Sequence, residues 1–140
     1  MEILKHEKHK NIYLCDLFLE AKENLYKKFS KEKEQYDKWL DRQLAFLDAE
    51  GLNVLLFRPA AFEKLSGVEN LYAITRREFP GNPRVLFFVL EEDEPMVFLL
   101  VVAFKELSSG DYKRNIPVAI ERRKIIMESL KEEDGYEYKK

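Results

Sequence analysis

Cysteine occurs once in the 140 residues, as Cys15. A single thiol closes no intramolecular disulfide, and without a CxxC partner it builds no zinc ribbon. Beside Leu14 and Leu17 it reads as a small buried apolar residue. Histidine occurs twice, as His6 and His9. Three apart in a lysine-rich lead-in, they read as solvated surface rather than metal ligands. Glycine and proline number five each, far too few for a low-complexity or collagen-like chain. No long hydrophobic run is present. Met96 to Phe104 is the longest, about half of the roughly 20 residues that a membrane helix needs. The lead-in Met1 to Lys10 lacks the apolar centre of a signal peptide, so the expected location is cytoplasmic. No charge sign dominates: 24 Lys and Arg stand against 26 Asp and Glu, for a net charge of −2. Binding to a polyanion would therefore need a local basic patch. P-loop, dinucleotide glycine, HExxH and GxSxG patterns are all missing.

What is present describes one α+β domain spanning residues 1–140, with residues 1–10 and 132–140 as mobile ends. The apolar fraction is 46%, ordinary for a globular chain. Asn11 to Cys15 fits a short strand. From Leu17 the pattern becomes helical, with Phe18, Ala21, Leu25 and Phe29 on one face. Ser30 suits the cap of a second helix, which carries Tyr36, Trp39, Leu40, Leu44 and Leu47 and ends near Gly51. Together they predict an N-terminal helical hairpin, or one helix bent near Ser30. Its outer face, with Tyr26 and Phe46 among Lys and Glu, is the expected partner surface.

The second half predicts a small, mostly antiparallel sheet. Leu71 to Phe79, Arg84 to Leu90 and Met96 to Phe104 are strand-like runs, and Pro80-Gly81-Asn82-Pro83 is a dense turn signal. Trp39, Leu40 and Leu44 are expected to pack on the sheet face that includes Phe88 and Leu100. A C-terminal helix follows, with Asn115 as cap and Pro117 in its first turn. The chemistry-bearing residues are basic: Arg76, Arg77, Arg84, Lys105, Lys113 and Arg114. They are ordinary strand-edge charge or a phosphate-binding face. A metal-free ribonuclease needs little beyond such a face, because arginine forks stabilise the charge that develops on phosphorus. With no histidine among these strands, proton transfer would fall to Lys, Tyr or a carboxylate.

The order and spacing of several short motifs resemble the RelE/HigB-type toxins, especially the phage-derived branch. Leu71-Tyr72-Ala73-Ile74-Thr75 stands for the family's L-[WY]-E-[IF]-R strand. Pro83-Arg84-Val85-Leu86-Phe87 stands for its YR-φ-φ-[FY] strand. Val101-Val102-Ala103-Phe104 and Lys113-Arg114-Asn115-Ile116 with Ala119 stand for the apolar strand and the helix start. Phe62-Glu63-Lys64-Leu65-Ser66-Gly67 is similar to the KL-x-G lead-in. The resemblance covers about half of the chain. Thr75, Glu106 and Leu107 occupy positions that are basic in the family, with Arg76 or Arg77 as stand-ins for the first.

The resemblance implies the toxin component of a type II toxin–antitoxin system. Such a toxin is a messenger-RNA endonuclease with no cofactor and no metal, silenced by a cognate antitoxin. Its partners are that antitoxin and messenger RNA, as on the ribosome, with no membrane. In that reading Arg84 and Arg77 are catalytic, and Arg76, Lys105, Lys113 and Arg114 bind RNA. The alternatives are a weak or inactive relative that works by protein binding, and a ParE-like topoisomerase-inhibiting toxin.

Overall fold

Three apolar runs become the centre of the sheet in the computed structural model, which describes residues 1–132. They are β4 (Leu71–Thr75), β5 (Pro83–Glu91) and β6 (Val97–Lys105), paired antiparallel in sequence order. β4 is buried along its whole length, and β5 and β6 along nearly all of theirs. Such burial is the expected environment of continuous apolar runs covered on both faces.

The sheet is larger than the sequence reading had it, and it is mixed. Among the described residues six strands lie in the order β1-β2-β6-β5-β4-β3. β3 (Phe62–Lys64) closes one edge. At the other, β2 (Ile12–Cys15) runs parallel to β6, and β1 (Ile3–Lys5) pairs antiparallel with β2. Residues that read as a patternless lead-in thus include an edge strand. The parallel partners are far apart in sequence (Leu14 registers with Leu100), so no hairpin signal announces them.

The expected N-terminal helical hairpin is also corrected. Two strands come first, and α1 (Asp16–Asn24) and α2 (Ser30–Glu50) connect β2 to β3, together with a 3-10 turn at Gly51–Asn53 and the single turn α3 (Val54–Phe57). α1 packs on β6 rather than along α2. The physical reason is that each helix satisfies its apolar stripe elsewhere. Phe18 of α1 and Leu40, Leu44 and Leu47 of α2 all enter one core with the strands. What joins α1 to α2 is ionic: Lys22 to Asp37 at 3.1 Å and Lys33 to Glu23 at 2.7 Å. Ser30 is the first residue of α2 and makes no cap; Phe29 holds the cap position without a side-chain bond.

The two faces of the sheet differ in what covers them. Leu14, in register with Leu100, lines a cleft with Asp37 and Asp41 of α2. Phe88 registers instead with Leu99, and its ring lies 5.1 Å from the Arg123 guanidinium of α4 (Gly110–Glu132). Phe88 and Leu100 therefore point to opposite faces, because side chains alternate along a strand. Trp39 is only partly buried. The C-terminal helix is present but starts earlier than Asn115. The Asp111 carboxylate accepts the Leu107 and Ser108 N–H groups at 2.7 Å, and the Asn115 amide donates to the Asp111 carbonyl. Pro117 consequently falls inside the helix. Of the expected tail 132–140, residues 133–140 lie outside the described residues. Among the described residues no helix is long and apolar enough to cross a membrane.

The β4–β5 turn is set by Pro80 and Gly81. The Asn82 N–H donates to the Phe79 carbonyl at 2.8 Å, with Gly81 at φ +84°, the pattern of a turn with proline second and glycine third. The Tyr26 hydroxyl donates to the Pro80 carbonyl at 2.6 Å and pins the α1–α2 connection to this turn. A Cβ on Gly81 would sit 2.8 Å from Lys105 Cδ and 3.1 Å from the Tyr26 hydroxyl. Gly81→Ala is expected to lose about 1–2 kcal/mol from the left-handed backbone alone. Urea unfolding checks it; an unchanged midpoint would contradict this turn geometry.

Candidate functional site

The expected basic face does not form as one surface. Lys105 registers with Pro83 and Arg84 with Phe104. Neighbouring register positions alternate faces, so Arg84 and Lys105 project to opposite sides of the sheet.

On the α4 side each of the three candidate arginines, Arg84, Arg77 and Arg114, has its own carboxylate. Arg84, expected at a solvent-facing strand end, is only 3% exposed. It donates to Asn82 Oδ1 at 2.8 Å, to the Pro83 carbonyl at 3.0 Å and to Glu106 at 3.3 Å. Its Nε is buried without a partner. Glu106, where the toxin pattern has lysine, is thus the counter-ion of the one arginine that matches that pattern. Arg77 is exposed, 3.8 Å from Glu63, which also accepts the Tyr112 hydroxyl at 3.0 Å. Arg114 pairs with Asp111 three residues earlier. Lys113 is exposed in the first turns of α4.

On the α2 side the cations meet rings instead. The Arg76 guanidinium lies 4.1 Å from the Phe79 ring and 5.9 Å from that of Trp39. Its Nη1 reaches the Gln35 carbonyl at 3.5 Å. The Lys105 ammonium lies 4.4 Å from the Tyr26 ring and 6.0 Å from that of Phe29. Tyr26 and Phe79 meet edge to face at 5.4 Å and join the two halves. Among the described residues neither cation forms a salt bridge, so their charge is not neutralised locally. Each such contact contributes about 0.5–1 kcal/mol at exposed sites. Phe29 is 56% exposed, and Lys27, Lys28 and Lys31 beside it are also exposed. A cleft of about 690 Å³ opens against Trp39, Ala60, Thr75, Arg76, Arg77 and Phe79.

Tyr26 on the α2 side and Tyr112 on the α4 side are acids held in their neutral form. Burial pushes the Tyr26 phenol up to about 12, against a small opposing pull from Arg76. Burial also raises Tyr112, with the Glu63 carboxylate adding to it. Neither is a general base near neutral pH. The Cys15 thiol is fully buried, faces the Val101 carbonyl at 3.7 Å and is pushed up by burial.

Several site residues were not visible in the sequence. Tyr26, expected on an outer partner-binding face, is 2% exposed and forms the floor under Lys105. Phe46, expected on that face too, is partly buried with the Arg58 guanidinium 3.3 Å from its ring centre. Phe29 and Trp39 carried a signal only as apolar helix positions. His9, expected in solvent, is buried, with Nε2 3.1 Å from Asp41 Oδ1. Comparison with known proteins adds no relative: no protein-family model, no curated protein and no solved structure matches the chain.

Proposed function

We propose that this chain is the cytoplasmic toxin component of a type II toxin–antitoxin system of the RelE/HigB type, one that acts by holding messenger RNA at the Arg76–Lys105 face rather than by cutting it at Arg84. The observation that carries this reading is the pair of unneutralised cations, Arg76 just past β4 and Lys105 at the end of β6, seated on four aromatic rings, with an open cleft beside Arg76. Single-stranded RNA is held by such a combination. Bases stack on aromatic faces, and the backbone phosphates lie against Lys and Arg. Trp39 and Phe29 have ring surface to offer a base, and the lysines at positions 27, 28 and 31 extend the positive edge. The buried Arg84–Glu106 pair supports binding without cleavage, since an arginine enclosed by carbonyls and a carboxylate is not free to grip a transition-state phosphate. The cognate antitoxin would silence the protein by covering this face.

Two measurements test the reading. A fluorescent single-stranded RNA should bind the purified chain with salt-dependent affinity. Trp39→Ala should weaken it by the roughly 1–3 kcal/mol of one base–aromatic stack, and the Arg76→Ala/Lys105→Ala double variant should flatten the salt slope by about 0.7 per lost phosphate contact. Wild-type affinity in the double variant would refute the site. Induction of the chain alone should slow growth without new messenger-RNA ends; new ends that vanish in Arg84→Met would restore the nuclease.

A further inference from the structure

We propose that His6, His9 and Asp41 form a binding site for a divalent transition ion of the Zn²⁺, Co²⁺ or Ni²⁺ class, which clasps the β1–β2 hairpin to α2. The three residues come from separate places in the fold. His6 follows β1 directly, His9 precedes β2, and Asp41 lies in the middle of α2. Folding brings one ligand atom from each to within 4.8 Å of the others. The two imidazole rings lie 4.5 Å apart, tilted by 35°.

The donor set selects the ion. Two imidazole nitrogens and one carboxylate suit borderline transition ions, whereas Mg²⁺ and Ca²⁺ favour oxygen-only shells. His9 Nε2 and Asp41 Oδ1, at 3.1 Å, already have nearly the separation of about 3.3 Å that two ligands keep on a tetrahedral ion with bonds of about 2.0–2.1 Å. The ion would replace the hydrogen bond between these two atoms, with the His9 ring proton carried on Nδ1. His6 closes the remaining gap by rotation of its side chain. The Lys8 N–H donates to His6 Nδ1 at 3.1 Å, which marks that nitrogen as the unprotonated one; an ion bound there takes the lone pair that now accepts this hydrogen bond. Lys8, 3.8 Å from Asp41 but 69% exposed, can swing away as the ion enters. Three protein ligands leave one position open toward a cleft of about 500 Å³ bordered by Lys5, Lys8 and Lys22.

The test uses the full chain without an affinity tag, stripped by chelator and titrated calorimetrically with Zn²⁺ or Co²⁺, with Mg²⁺ as control. About one equivalent of Zn²⁺ should bind, Mg²⁺ should not, and bound Co²⁺ should show the intense visible absorption of a four-coordinate site. His6→Gln and Asp41→Asn should each weaken binding about 10-fold or more, since removal of a ligand costs at least as much as removal of an outer-shell partner. Both are only partly buried, and unchanged circular dichroism would show that they fold; His9→Gln is the buried third variant. Failure of the wild-type chain to bind Zn²⁺ would overturn the proposal. So would wild-type affinity in both His6→Gln and Asp41→Asn.

Discussion

Leu100→Ala is expected to lower the unfolding free energy by about 2–5 kcal/mol, the range for truncating a fully enclosed leucine. Leu100 is 0% exposed in the middle of β6. It registers with Phe87 of β5 on one side and Leu14 of β2 on the other, and α1 packs on the strand that carries it. None of these neighbours can collapse into the vacated volume without shifting a strand, because both flanking strands are held by ladder hydrogen bonds. Urea unfolding with the slope held constant would measure the loss. A loss under about 1 kcal/mol would be the size of a surface substitution and would place Leu100 outside the core.

Glu106→Ala is expected to cost about 2–4 kcal/mol, somewhat below the roughly 3–5 kcal/mol of breaking a fully buried pair. The reduction has two causes. The Glu106 side chain keeps 26% of its exposure, so water partly screens the pair. Arg84 also keeps its bonds to Asn82 and Pro83. The Arg84 side chain is only 4% exposed, so its guanidinium cannot recover hydration once its counter-ion is gone. Arg84→Met should be far milder, within about 1–2 kcal/mol of the parent, because apolar replacements of buried ionic groups are often neutral. It also removes the unpartnered Nε. The double variant Arg84→Met/Glu106→Ala should recover most of the loss of Glu106→Ala. Thermal and urea midpoints for the three proteins would decide it. A neutral Glu106→Ala would mean that the pair is solvated and that Arg84 is free to bind phosphate after all.

Local signals in the sequence were sufficient for β4, β5 and β6. An apolar run with turn residues at its ends stays a strand wherever it is placed, and Pro80 and Gly81 fix the reversal between two of them. The same holds for α2, whose apolar positions at three- and four-residue spacing stand alone as a helix signature. The last helix was legible as an element but not at its start, because the Asp111 carboxylate accepts the Leu107 and Ser108 N–H groups upstream of Asn115, whose own amide donates within the helix.

Tertiary structure alone decided the rest. The pairing of β2 with β6 joins residues more than 80 positions apart, and four residues of strand carry no mark of their partner. Which side of the sheet each cation serves was equally hidden. A shift of one residue in register exchanges the faces, so Arg84 with Glu106 and Lys105 with Tyr26 could be separated only once the β5–β6 ladder was set. Phe88 and Leu100 were assigned to one face for the same reason, although their registered partners, Leu99 and Phe87, are adjacent to the opposite ones. His9 and Asp41 lie 32 positions apart. Sequence determined that these residues exist and what chemistry each can do. The packing of α2 across the β1–β2 hairpin determined that they meet, because contact across a fold depends on the path of the chain and not on the spacing along it.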